Sequence, residues 1–148
     1  MKSEVKISEN TLQMTRMFDA PRDQVFAAWK ESEKLETWWG CSQTRKVESK
    51  MDFQEGGEFC HTMTIEGAGV MPYAGKFEEI IEPEKIVYKA SFGPLDATIT
   101  VEFIEVAPGK TKLVLTQVGF PDPTLREIVS GGFDAAFEKL EKLLLQTA

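Results

Sequence analysis

A chain of 148 residues with 17 basic and 24 acidic side chains, a formal net charge of −7, has room for one domain with a sizeable core and not for two ordinary ones. The negative balance, with no basic cluster interleaved with aromatics, argues against nucleic acid as a partner. The polar start Met1-Lys-Ser-Glu-Val-Lys-Ile7 lacks the apolar centre of a signal peptide, and no apolar run nears the roughly 20 residues of a membrane span, so a cytoplasmic protein without membrane insertion is expected.

Before Ala20 the chain alternates, with Leu12, Met14 and Phe18 on one face and Gln13 and Thr15 on the other, the period of a half-buried strand. Pro21 ends it and fits the first position of a helix running to Lys30, whose stripe is Val25, Ala28 and Trp29. Ser32 reads as the N-cap of a second short helix carrying Leu35, Trp38 and Trp39, with Gly40 as its stop.

From Arg45 to Gly119 apolar alternation is punctuated by turn residues. It predicts antiparallel strands at Thr44 to Glu48, Gly57 to Glu66, Met71 to Ile81, Lys85 to Phe92, Ala97 to Val106 and Thr111 to Val118, about seven with the first. Gly67-Ala-Gly69, Glu82-Pro83-Glu84, Gly93-Pro94 and Ala107-Pro-Gly109 are the turns.

The chain returns to helix at Asp122 (cap) and Pro123. From Leu125 to Gln146, Val129, Phe133, Ala136, Phe137, Leu140, Leu143 and Leu144 form one broad stripe, on a helix about 33 Å long. Gly131 and Gly132 within it predict either a kink or helix boundary, or a stretch of bare backbone that leaves room for something beneath.

The order strand, two short helices, antiparallel strands and a long C-terminal helix resembles the helix-grip arrangement of the START-like (SRPBCC) superfamily. The segments Phe18-Asp-Ala-Pro-Arg-Asp-Gln-Val-Phe-Ala-Ala-Trp29, Leu35-Glu-Thr-Trp-Trp-Gly40, Met51-Asp-Phe-Gln-Glu-Gly-Gly-Glu-Phe59, Gly75-Lys-Phe-Glu-Glu-Ile80, and Gly119-Phe120 with Gly132-Phe133, resemble the family named for the activator of the heat-shock-protein-90 ATPase. The resemblance spans nearly the whole chain. It implies an α+β domain over residues 1–148, with a curved antiparallel sheet wrapped on the C-terminal helix and a cavity between them.

Strand parity places Phe59, His61, Met63 and Ile65 on one face, Arg16 with Leu12 and Phe18, and Gln117 with Leu113 and Leu115, so three polar side chains face inward. Mutual pairing is one reading of Arg16, His61 and Gln117; the other is that they hold the polar end of an apolar ligand. The expected wall is Trp39, Phe53, Phe59, Met63, Tyr73, Tyr88, Phe92, Ile99, Val101, Phe120, Phe133 and Phe137, with Gly132 bare beside it; about half of these serve as core.

Cys41, Cys60 and the single histidine offer too few ligands for a zinc site, so no metal and no cofactor are expected, and both cysteines read as free thiols. Cys60 points away from its neighbour His61, and no serine has a visible claim on that imidazole, so no catalytic residue is assigned. The leading reading is binding of a small hydrophobic molecule, a lipid or aromatic metabolite, in a carrier, sensor or stress-related role. A polyketide cyclase or dehydratase-like enzyme, with His61 as general acid or base and Arg16 stabilising an enolate, is the alternative, and contact with a chaperone is a third. A strand edge near Thr44 or an uncovered stripe of the last helix could support a homodimer.

Overall fold

Period-2 alternation and period-3.6 stripes separate along this chain into one sheet and the helices that cover it. The computed structural model describes residues 4–8, 11–92, 95–119 and 123–146. Its elements are β1 (Glu4–Ser8), β2 (Thr11–Phe18), α1 (Arg22–Lys30), α2 (Ser32–Leu35), β3 (Thr44–Met51), β4 (Glu58–Ile65), β5 (Gly69–Ile81), β6 (Lys85–Phe92), β7 (Leu95–Ala107), β8 (Lys110–Val118) and α3 (Pro123–Gln146). The strands form one curled antiparallel sheet in the order β1-β2-β8-β7-β6-β5-β4-β3, gripping α3 as the helix-grip reading expects.

The sheet has eight strands where about seven were expected. The additional one, β1, pairs with β2 from Glu4↔Thr15 to Ser8↔Thr11. Four residues of β2 alternate into the interior, Leu12, Met14, Arg16 and Phe18, each no more than 2% exposed. Parity also holds for Phe59, His61 and Met63 on β4 and for Leu113, Leu115 and Gln117 on β8, all buried. The edge strand β3 runs on to Met51, beyond the expected end at Glu48.

Pro21 is the N-cap of α1, one position outside the helix, and its carbonyl accepts from the Gln24 and Val25 N–H groups. Ser32 is likewise displaced from its expected role. It is the first residue of α2, Glu31 is the N-cap, and no side chain caps either helix. α2 is a single turn; Trp38 and Trp39 follow it outside any helix. They are held by packing instead: Trp38 Nε1 donates to the Ala28 carbonyl at 3.0 Å, and the ring centroids of Trp29, Trp38 and Trp39 lie 4.8 to 5.8 Å apart in edge-to-face contacts. Gly40 then takes φ +94°, and a Cβ there would meet Thr44 Oγ1 at 2.5 Å, so glycine alone fits this stop.

α3 is one unbroken helix of 24 residues, on the order of 36 Å long, and Gly131 and Gly132 do not divide it. Burial divides it all the same. None of its side chains described between positions 124 and 132 is buried, whereas Phe133, Ala136, Phe137, Leu140 and Leu144 are. Phe137 meets Phe18 edge-on at 6.2 Å, which pins the second half of the helix to β2. The expected cap Asp122 and turn Gly93-Pro94 lie outside the described residues.

Candidate functional site

The three inward polar side chains stand on β2, β4 and β8, and three strands separate β8 from β4. The structure does not bring them into one cluster. Arg16 turns to α3, with Nη1 3.4 Å from Asp134 Oδ1 and Nη2 3.6 Å from Glu141 Oε1, long contacts that neutralise an interior guanidinium with carboxylates at the surface. Gln117 is 3% exposed, and among the described residues its Oε1 has no hydrogen-bond partner.

His61 has a partner that parity alone did not show. Ser49 sits directly opposite it in the β3–β4 register, and Ser49 Oγ lies 3.0 Å from His61 Nδ1. This corrects the expectation that no serine engages the imidazole. Ser49 Oγ also lies 3.4 Å from Ser32 Oγ, and the Ser49 N–H donates to Glu36 Oε2 at 2.7 Å, so the first residue of α2 and the residue just past its end anchor the pair. Burial among Trp39, Phe59 and Tyr73 pushes the imidazole pKa down to about 3, leaving it neutral at ordinary pH. The void beside it, bounded by Phe59, Phe77, Tyr88 and Trp39 among others, is only about 10 Å³. That is too little for a substrate.

The usable space lies on the other side of Trp39. A pocket of about 270 Å³, partly open to solvent, is lined by Trp39, Gly40, Cys41, Met63, Ile65, Met71, Tyr73, Ile128, Val129, Gly132, Phe133 and Ala136. It sits between β4, β5 and the loosely held first half of α3, at the lower end of the size range of ligand sites and with their apolar character. Lys139 fixes its rim, donating from Nζ to the Trp39 carbonyl at 3.3 Å and the Cys41 carbonyl at 3.4 Å; desolvation lowers the pKa of this ammonium. Cys41 and Cys60 are both free, as expected. Among the described residues no group of His, Cys, Asp and Glu could hold a metal ion, and no helix is long and apolar enough to cross a membrane.

Of the residues named from sequence, Trp39, Met63, Tyr73, Gly132 and Phe133 line this pocket. Phe59, His61 and Tyr88 lie beyond Trp39 at the small void, and Phe137 is packed between Phe18 and Phe133. The side chains of Phe92 and Phe120 fall outside the described residues. Sequence reasoning did not name Gly40, Cys41, Ile65, Met71, Ile128, Val129 and Ala136 as site residues, though it placed Ile65 on the inward face. Two signals could have found some of them: Val129, Gly132, Phe133 and Ala136 share one helical face by spacing, and Met71 is the cross-strand partner of Met63.

A larger hollow of about 620 Å³ lies near Lys50, Asp52, Glu58, Cys60, Lys76 and Ser91, but it is a shallow, open depression rimmed by charges. The uncharged, apolar wall of the smaller pocket makes it the candidate site.

Solved structures share the whole architecture. A protein from Rhodobacter sphaeroides superposes with a TM-score of 0.85 at 18% identity, over 99% of this chain and 100% of its own. One from Chromobacterium violaceum gives 0.80 at 23% identity, over 91% and 96%. An HSP90 activator from Plasmodium falciparum gives 0.61 at 29% identity, over 76% and 74%. No curated protein matches at a significant level. The sequence model described as activator of Hsp90 ATPase homolog 1-like protein matches residues 19–145, nearly the full length, a span that holds all the motifs read above except Phe18 of the first. The chain belongs to this family of activator of Hsp90 ATPase homolog 1-like proteins.

Proposed function

We propose that this protein binds a small, largely apolar molecule in the 270 Å³ pocket between β4, β5 and the first half of α3, as a carrier or sensor. The observation that supports the reading is the wall itself, in which the two methionine side chains of Met63 and Met71 and the rings of Trp39, Tyr73 and Phe133 meet without a single charged side chain. Methionine and aromatic groups give adaptable contact, and burying apolar ligand surface contributes about 25 cal/mol per Å² before the costs of association. A proton-transfer role for His61 has less support, since its imidazole is enclosed, neutral and bonded to Ser49.

The two thiols provide a test within one molecule, because Cys41 lines the pocket and Cys60 borders the outer depression. Saturating naphthalene is expected to slow alkylation of Cys41 by N-ethylmaleimide by about tenfold and to leave Cys60 unchanged. Equal protection of both thiols, or of neither, would remove the pocket from this role.

A second reading, contact with an Hsp90-type chaperone, is supported by the family and by the 29% identity to the Plasmodium falciparum activator. The steady-state ATPase rate of that chaperone, measured with and without this protein, decides it. An unchanged rate retires the idea.

A further inference from the structure

The apolar pocket and the small void at His61 share a wall, the indole of Trp39, which lines both. Its centroid stands 4.9 Å from the His61 ring, 5.2 Å from Tyr73 and 5.9 Å from Phe133, and the residue is 4% exposed. Hydrogen bonds from Lys139 hold its backbone carbonyl and that of Cys41, while the indole lies in edge-to-face contact with the neighbouring rings. The backbone is fixed by hydrogen bonds and the ring packs against aromatic neighbours.

The two sides of this wall differ in chemistry. Outside are methionine, isoleucine and phenylalanine side chains; inside, His61 and Tyr88 reach the same small void. Tyr88 is 3% exposed, and its hydroxyl meets that of Tyr73, a pairing that leaves a phenol oxygen capacity for a further hydrogen bond. A neutral hydrogen-bonding group brought to that buried oxygen would use capacity that the surrounding apolar wall leaves unused. A charged group would not be accommodated, because every side chain at this void is neutral.

We propose that Trp39 is the partition that sets the depth of the pocket, and that a ligand displacing its indole reaches Tyr88, so that the preferred ligand is a compact ring system bearing one neutral hydroxyl or carbonyl group. This rests on the binding reading above and adds a specificity to it. Trp39 acts as the size filter and Tyr88 as the polar reader at the far end. Because Tyr73 lines the pocket and neighbours Tyr88, it marks the route between them.

The test uses fluorescence titration of the intact protein with naphthalene, naphthol and hydroxypyrene, with thermal melts to verify that each variant is folded. Wild type is expected to bind naphthol about tenfold more tightly than naphthalene. Tyr88→Phe, which removes a single oxygen, is expected to bring the two to parity, and Trp39→Phe to improve hydroxypyrene binding by about tenfold. Equal wild-type affinity for naphthol and naphthalene, a preference that survives Tyr88→Phe, or hydroxypyrene binding unmoved by Trp39→Phe would overturn the proposal. Failure of wild type to bind either naphthalene or naphthol would instead overturn the binding reading on which it rests. If Trp39→Phe does not fold, Trp39→Leu serves as the second variant with the same expected gain.

Discussion

Gly75→Ala is expected to lower the stability of this protein by about 3 kcal/mol, at the upper end for an overpacked site. The reason is a close approach between strands. A Cβ on Gly75 would lie 1.7 Å from the Lys89 carbonyl oxygen and 2.7 Å from its carbon, both backbone atoms that cannot rotate away. Gly75 is paired with Phe59 on one side and Ala90 on the other, so β5 cannot move off β6 without disturbing β4. The same substitution has the opposite sign in α3. At Gly131 a Cβ meets nothing within 4 Å, so Gly131→Ala gains the helix propensity difference, about 1 kcal/mol. Urea midpoints of the two variants should therefore move in opposite directions. A Gly75→Ala midpoint equal to wild type would contradict the strand packing described above.

Acid is expected to weaken the fold well above the range in which carboxylates titrate, because of His61. Its pKa falls from 6.5 in the unfolded chain to about 3 in the folded one, through desolvation. Between these values the unfolded state binds the extra proton. The contribution of the buried neutral ring is thus fully present above about pH 6.5 and is lost as pH falls toward about 3. The slope is about 1.4 kcal/mol per pH unit, so about 2 kcal/mol disappears between about pH 6.5 and pH 5. His61→Leu should abolish that slope, and Ser49 keeps Ser32 Oγ at 3.4 Å as a neighbour when the imidazole is gone. Urea unfolding of both proteins across this interval checks it; parallel pH profiles would show that His61 is not held neutral.

These two residues also show how far the sequence could be read. Inward placement of His61, Arg16 and Gln117 follows from a period of two, which depends only on the strand being regular where they sit. The bond from Ser49 to His61 depends on register between two strands. Register is set by the turn between Met51 and Glu58 and by the irregularity at Thr44/Lys46, neither of which has a sequence signature that fixes the offset. The continuity of α3 through Gly131 and Gly132 was one of two readings the residues left open. Local propensity argues for a break there, and burial of Phe133 and Phe137 immediately beyond overrides it.

The pocket was legible in part for the same reason. Met63, Phe133 and Tyr73 could be assigned to an inward face, whereas Cys41 and Ile128 enter only because the loop after α2 is tied to α3 through Lys139. Trp38 and Trp39 were read as helical from their spacing after Ser32. Their positions come instead from ring packing and from the bond to the Ala28 carbonyl, which are tertiary facts. β1 was passed over because its charged residues obscured the alternation of Val5 and Ile7.

The claim on which the functional account rests is that apolar molecules enter the space between β4, β5 and the first half of α3. Methyl NMR of methionine-labelled protein during titration with naphthalene tests it directly, because Met63 and Met71 line the pocket while Met14 is buried in β2. The account predicts saturable shifts of the Met63 and Met71 methyl resonances with that of Met14 unmoved. Unchanged Met63 and Met71 signals at saturating naphthalene, or equal shifts of all three, would contradict it.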